Sequence, residues 1–186
     1  MANKVKYGLK NAYYAVITET GGTITYGTPV ALPGAVSLSM AQQGEMSTFR
    51  ADNTDYWKGS SNSGYEGDFE IALIPDSFRT DVLGEVLDAK GFYVERADAP
   101  TVEFAFLFQF EGDENAVRHC FYRCVATRPD VAGQTTDTSI EPQTETITIS
   151  AMPRIADNVV KSRAPYEEET TSSYQKWFES VQEPTA

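Results

Sequence analysis

Histidine occurs once and cysteine twice in this chain of 186 residues, and this scarcity restricts its chemistry. The two thiols, Cys120 and Cys124, are four residues apart on a segment with the pattern of a β-strand. At about 3.3 Å per residue their α-carbons would be roughly 13 Å apart, which is too far for a disulfide. We therefore expect two reduced, buried cysteines in a protein of the cytoplasm.

The single histidine, His119, is adjacent to Cys120, and this raises the question of a zinc site. On a strand, alternation places His119 on the opposite face from both cysteines, so the three side chains cannot share a tetrahedral ion. The sequence also lacks a Gly-x-Ser-x-Gly elbow, a Gly-x-x-x-x-Gly-Lys loop and a Gly-x-Gly-x-x-Gly fingerprint. It therefore predicts no enzyme, with no catalytic residue, no metal site and no cofactor.

Carboxylates are abundant, and paired carboxylates serve as acid and base in glycosidases. Glu66, Asp68 and Glu70 are the best such cluster. Their alternation favours a simpler interpretation, in which they form the solvent-facing side of a half-buried strand. Asp52-Asn53-Thr54-Asp55 offers oxygen ligands, but it lacks the spacing, glycine and terminal glutamate of a calcium loop.

Basic residues are outnumbered, with 15 Lys and Arg against 27 Asp and Glu and a net charge of −12. This balance argues against general nucleic-acid binding and against docking on an anionic membrane. No segment approaches the roughly 18 apolar residues that a membrane span needs. Residues 1–6 are not followed by the apolar run of a secretory signal, so we expect no membrane partner.

The chain does contain many short segments of alternating polarity separated by turn residues, a pattern typical of a β-sandwich or barrel. The clearest runs from Thr101 to Glu111, where one face carries Val102, Phe104, Phe106, Phe108 and Phe110. This face must cover a core or a neighbouring subunit. Residues 111–115 then turn the chain into 117–125, which predicts a long hairpin. Further strands are expected at 13–18, 23–26, 45–51, from 65 onwards and at 145–150.

Two helices are predicted to interrupt the β pattern. The first has Asp76 as its N-cap, shows apolar residues at helical spacing as far as Leu87 and ends at Gly91. The flanking helix belongs to a β domain that we place at residues 1–156.

A C-terminal extension, residues 157–186, carries the second and shorter helix. Its apolar stripe consists of Tyr174, Trp177, Phe178 and Val181. Because so short a helix is marginal alone in water, we expect the stripe to dock on the parent domain, with a neighbouring copy as the alternative.

Residues 52–64 are polar and rich in Ser, Asn and Gly, and they are predicted to form an irregular loop, as are residues 130–139. Tyr56-Trp57 interrupts the polarity of the first loop. These aromatics either anchor an interface or fold back on their own domain, and sugar stacking is a third possibility. The candidate subunit contacts are Asp52, Asn53, Asp55, Tyr56, Trp57, Tyr174, Trp177 and Phe178.

Several stretches, taken in order, resemble the major tail tube proteins of phages with long, non-contractile tails. The resemblance covers most of the chain, and order and spacing carry it rather than any single motif. The matching stretches are Lys6-Tyr7-Gly8-Leu9-Lys10-Asn11-Ala12-Tyr13-Tyr14, Tyr26-Gly27-Thr28-Pro29, Pro33-Gly34-Ala35-Val36, Ala51-Asp52-Asn53, Gly64-Tyr65-Glu66-Gly67-Asp68-Phe69, Ile74-Pro75-Asp76, Val82-Leu83-Gly84, the Phe104 to Gly112 hairpin with Phe121-Tyr122, Arg128-Pro129, Met152-Pro153-Arg154 and Trp177-Phe178.

This resemblance implies a mainly β, sandwich- or barrel-like tail tube fold with one flanking helix. It implies subunits that form hexameric rings, which stack into a tube through which genomic DNA passes without specific binding. Other tail proteins would be further partners, with assembly in the host cytoplasm and a final location in the virion tail. In the family a long loop joins successive rings, and by position this is Asp52 to Gly64. The acidic charge fits a lumen that repels phosphates.

Two rival functions stay open on the residues alone. The chain could be another β-subunit of a virion, such as a baseplate or head-decoration protein. It could also be a carbohydrate-binding module or small glycosidase that uses Tyr56, Trp57 and the acidic strand face.

Overall fold

The computed structural model describes residues 3–21, 23–135, 141–167 and 171–184, so positions 136–139 of the second predicted loop lie outside the described residues. Strands dominate these ranges, and both helices are short. The elements are β1 (Lys6–Thr20), β2 (Thr23–Tyr26), β3 (Val30–Leu32), β4 (Ala35–Gln43), β5 (Met46–Ala51), β6 (Thr54–Ser60), β7 (Gly64–Ile71), α1 (Asp76–Asp81), β8 (Val86–Leu87), β9 (Tyr93–Val94), β10 (Phe104–Gly112), β11 (Val117–Ala126), β12 (Glu145–Ala151), β13 (Lys161–Ala164) and α2 (Thr171–Gln175).

One large antiparallel sheet has the strand order β2-β1-β10-β11-β12-β7-β4, with β3 paired to β1 and β13 paired to β11. The sheet curls, since β4 at one edge comes close to β1. It does not close into a barrel within the described part of the chain. The prediction of a mainly β fold with a flanking helix and a short C-terminal helix is therefore confirmed.

The phenylalanine face of β10 lies in the first of two cores, on the inner side of the curled sheet. Phe104, Phe106 and Phe108 pack there with the inward side chains of β7 and β12. Helix α1 closes one end of this core, where the Phe78 ring meets the rings of Tyr14 and Phe104 edge-on at 5.1 and 5.5 Å. Buried aromatic and aliphatic side chains of this kind each stabilise a fold by about 1.5–3 kcal/mol.

The opposite face of β10 lies in a second core. Ala105 and Leu107 are buried there with Cys120 and Tyr122 of β11, under side chains of the C-terminal segment. We use the name C-terminal segment for residues 171–184. Strand β10 is therefore buried on both faces, which period-two alternation alone does not reveal.

Helix α1 is shorter than the sequence predicts, and Asp76 is not its N-cap. Pro75 occupies that position without a side-chain capping bond, and Asp76 is the first helical residue. An acidic group in the first turn is still favourable, because it faces the positive end of the helix dipole. The helix stops before Gly84, whose φ of +77° a helix cannot accommodate, and the predicted helical residues Val86–Leu87 form β8 instead.

The prediction that residues 52–64 form an irregular loop is wrong. Most of them belong to β6, which pairs with β5 in a hairpin that we call the arm (residues 46–60). Asp52 and Asn53 form its turn, with φ values of +49° and +60°. Two-residue hairpin turns with both φ values positive match the twist of the flanking strands, and Asn and Asp tolerate this backbone well.

Candidate interaction surfaces

The lone histidine and the two cysteines do not converge on a site. His119 stacks on Phe108 with ring centroids 5.2 Å apart, on the side of the first core. A bulge between the pairs Phe104–Cys124 and Phe106–Phe121 moves Cys124 to that same core, while Cys120 lies in the second. The prediction that His119 faces away from both cysteines is thus wrong for Cys124. Across the described ranges, no group of three or more His, Cys, Asp or Glu could hold a metal ion.

Both thiols are free and fully buried, and burial raises their pKa values above the ordinary value. A thiol held in its protonated form is a poor nucleophile and a poor metal ligand. The cysteines therefore act as small apolar residues of the two cores.

His119 titrates far below its ordinary range. Burial lowers its pKa to about 4, with further contributions from the positive charges of Lys161, Lys6 and Arg163. The side chain is therefore neutral at pH 7.

Acidification is expected to destabilise the protein through His119. Because its pKa is about 4 in the folded state and about 6.5 in the unfolded state, the unfolded chain binds more protons between these values. Stability is complete above pH 6.5 and falls as the pH drops towards 4, by about 2 kcal/mol after allowance for the partial exposure of the ring. Urea unfolding at pH 7 and pH 4.5 measures this loss. His119→Phe should show a smaller loss, and an identical loss in both proteins would contradict the assignment.

An acidic face covers the outer side of β4, β7 and β12. Alternation and register place carboxylates and hydroxyls there, and no Lys or Arg occurs in these three strands. Glu66, Asp68 and Glu70 lie on this face, away from the core, as alternation predicted. The outward residues are Ser37, Ser39, Ala41, Glu66, Asp68, Glu70, Thr146, Thr148 and Ser150.

Hydroxyl groups donate hydrogen bonds to two carboxylates of the acidic face, Asp68 and Glu70. Thr144 and Ser37 donate hydrogen bonds to Glu70 at 2.6 and 2.8 Å, and Thr148 donates to Asp68 at 2.8 Å. The bonds from Thr144 and Ser37 lower the pKa of Glu70. The face is thus a fixed array of negative charge.

The arm carries uncovered aromatic side chains. Tyr56 is 71% exposed and Trp57 is 56% exposed. Phe49, also exposed, lies directly opposite Trp57 in the hairpin. An isolated two-stranded hairpin is at best marginally stable in water, so a contact with another surface would stabilise the arm.

The arm continues the β4–β7 pair rather than forming a separate unit. The backbone amide of Ser63 donates a hydrogen bond to the backbone carbonyl of Gln43 at 2.8 Å, and that of Ser61 donates one to the carbonyl of Glu45 at 3.0 Å. Near the tip, Asp55 forms ion pairs with Arg50 and Lys58, at nitrogen–oxygen distances of 3.2 and 3.0 Å. The arm therefore projects from the edge of the sheet as a defined strand pair, and it includes the predicted contacts Asp55, Tyr56 and Trp57, with Asp52 and Asn53 at its turn.

The C-terminal stripe docks on its own domain, the first of the two arrangements expected. Trp177 is 4% exposed, and its indole nitrogen donates to the His119 carbonyl at 3.3 Å. Tyr174 is also buried and donates its hydroxyl hydrogen to Ala116 at 2.9 Å. The Phe178 ring stacks on Tyr13 with centroids 4.9 Å apart. These side chains complete the second core.

A second apolar surface, which the sequence pattern does not predict, lies on the β8–β9 hairpin. The β8–β9 hairpin leaves five large apolar side chains exposed, and both of its strands lie outside the main sheet. The signal was present as two apolar pairs around a turn containing Gly91, but helical spacing from Phe78 onwards masked it. The exposed residues are Val86, Leu87, Phe92, Tyr93 and Val94.

Comparisons with known proteins find a likeness in structure and none in sequence. No protein-family model and no curated protein matches the chain. Among solved structures, the fold resembles the cryo-EM structure of the anti-feeding prophage cap, described as a tube terminating cap. The TM-score is 0.44 and the identity is 11%, over 89% of this chain and 95% of that chain. A likeness of this degree does not establish a shared function.

Within the described residues, no helix is long and apolar enough to span a membrane.

Proposed function

We propose that the chain is a non-enzymatic structural protein of a phage tail, and that it acts as a major tail protein. Its copies form rings, with six as the expected number, and the rings stack into the tube that delivers DNA. The observation that carries this proposal is the arm, a hairpin with exposed aromatic residues that its own domain leaves uncovered. The ordered motifs described above supply the reason for choosing a tail tube.

The arm has the composition of an interface anchor. Tyr and Trp are enriched among the residues that dominate binding energy, and burial of each would contribute about 1.5–3 kcal/mol. The β8–β9 hairpin offers a second and unlike apolar surface. Two different surfaces on one subunit favour head-to-tail contacts, which generate rings or filaments rather than closed dimers.

The acidic face is the surface we assign to the lumen. Phosphate binding requires Lys and Arg, and the three strands of this face contain neither. Fixed carboxylates such as Asp68 and Glu70 would repel a passing DNA backbone and let it slide without sticking. The tube would thus combine an acidic channel with apolar contacts between subunits. Other tail proteins would bind its ends, after assembly in the host cytoplasm.

Purified protein is expected to form rings or tubes, seen by negative-stain electron microscopy and by sedimentation velocity. A variant in which Asn-Gly replaces residues 46–60 should keep its circular dichroism spectrum and melting temperature but sediment as a monomer. Tyr166→Ser, which removes an exposed aromatic ring outside the arm, should assemble like the unmodified protein.

A strictly monomeric wild-type protein at high concentration, even with other tail proteins present, would contradict the proposal. Tubes of undiminished length from the variant without the arm would contradict the role of the arm. Specific binding on a glycan array that Trp57→Ala abolishes would instead favour a carbohydrate-binding module.

A further inference from the structure

A cavity of about 230 Å³ opens between the inner faces of β4, β7, β10 and β11. Its walls are apolar or aromatic, and include Leu38, Met40, Tyr65, Phe108 and Phe110. An apolar cavity of about 150 Å³ is sufficient to bind benzene, so this one has room for an aromatic ring.

Two lysines line this cavity in an otherwise acidic protein. The ammonium nitrogen of Lys6 lies 4.6 Å from the centre of the Phe110 ring, and that of Lys161 lies 4.2 Å from the centre of the Tyr65 ring. In the part of the chain that the structure describes, no carboxylate forms an ion pair with either lysine. The neutral ring of His119 also lines the cavity. The cavity therefore suits an aromatic group that has a negative charge beside it.

The arm has this chemistry. Trp57 offers an exposed indole, the best aromatic partner for a cation, beside the exposed ring of Phe49. The arm carries two aspartates and two basic residues. Asp55 forms ion pairs with both Arg50 and Lys58, and the carboxylate of Asp52 at the turn forms no ion pair among the described residues. The arm therefore has no net charge, and at its turn it presents a carboxylate without an ion-pair partner a few residues from the rings of Phe49 and Trp57.

The arm cannot fill the cavity of its own subunit. Tyr65 pairs with Gln42 at the root of the arm, and the Phe49–Trp57 pair lies seven residues further along the hairpin. At about 3.3 Å per residue, this separation is roughly 20 Å, directed away from the cavity. An arm that enters this cavity must therefore come from another molecule.

We propose that the cavity receives the arm of a second copy of this chain, with Trp57 against its aromatic walls and Asp52 near Lys6 and Lys161. This inference rests on the proposed self-assembly and adds the identity of the receiving site. It makes the contact heterologous, because the donor and receiver surfaces differ, and such contacts continue from subunit to subunit.

Cysteine cross-linking in assembled protein tests the proposal. Phe49→Cys, which leaves Trp57 in place, is mixed with Met40→Cys on the cavity wall and treated with a short bis-maleimide. We expect a cross-linked dimer from this pair. The matched control is Ser39→Cys, whose side chain lies on the opposite face of β4, and it should give none. Cys120 and Cys124 are buried and should not react.

A charge reversal provides a second measurement. Lys161→Glu should weaken self-association by about tenfold, because a repulsive charge would face Asp52. Lys176→Glu makes the same change on an exposed residue away from the cavity and should leave association unchanged.

The results separate this inference from the proposed function. The cavity would not be the receiving site if the protein assembled without a cross-link between positions 49 and 40. Equal cross-linking of position 49 to position 39 would have the same meaning. In both cases the proposed tail function would still stand. Equal association of Lys161→Glu and Lys176→Glu would also overturn it. Failure of the wild-type protein to associate at all would overturn both.

Discussion

Replacement of Trp177 by alanine is expected to lower the free energy of unfolding by about 3–5 kcal/mol, the range for truncation of a buried large aromatic side chain. The indole fills the second core against β10 and β11, and its nitrogen donates a hydrogen bond to the His119 carbonyl. Its loss would leave a cavity and uncover Leu107 and Cys120. Urea unfolding followed by circular dichroism measures the change.

The other tryptophan provides the control for this experiment. Trp57→Ala removes an indole that is exposed on the arm, so the stability of the monomer should change by less than about 0.5 kcal/mol. The same substitution should impair assembly. Similar losses of monomer stability in the two variants would show that the C-terminal segment does not complete the core as described.

Gly67→Ala should be the second severely destabilising substitution. Gly67 lies in β7 between two paired strands, and a Cβ atom at this position would overlap the Ser39 carbonyl oxygen and approach Met40 in β4. Because the obstacle is backbone, the β4–β7 pair would have to separate, at a cost of about 3 kcal/mol or more. Thermal and urea unfolding would detect it.

Gly133→Ala is the matched substitution, since nothing lies within 4 Å of a Cβ atom there. It should leave stability unchanged or raise it slightly, because alanine restricts the unfolded chain. A Gly67→Ala protein as stable as Gly133→Ala would mean that β4 and β7 are not as close as the register places them. The Gly67 variant should also assemble poorly, because the β4–β7 pair supports the root of the arm.

Local sequence pattern was sufficient for the strands whose two faces differ in polarity. The phenylalanine face of β10, the hairpin into β11 and the outward carboxylates of β7 all follow from a period of two residues. Pattern failed for α1, where helical spacing continued past Gly84 into residues that form β8. It predicted β5 within residues 45–51 but missed its partner β6, because a strand exposed on both faces has no apolar alternation.

The candidate contacts illustrate the same limit. The sequence identifies Tyr56 and Trp57 as aromatics in a polar segment, but their exposure depends on a hairpin that extends from its own domain. The sequence also identifies Tyr174 and Trp177 as an apolar stripe, and the structure places them in the second core with residues of β10. The division at residue 156 stays a proposal, and β13, which lies beyond it, pairs with β11 of the main sheet.

The sequence by itself determined the acidic charge and the scarcity of histidine and cysteine, because these follow from composition. It also determined the mainly β class, because alternation of polarity is a pattern among neighbouring residues. Only the tertiary structure decided that β10 is buried on both faces and that a bulge places Cys120 and Cys124 in different cores. It also decided that Lys6 and Lys161 line the same cavity. These features depend on residues far apart in the chain, such as Lys6 and Lys161, which line one cavity. Register and curling of the sheet set such distances, and short-range patterns do not encode them.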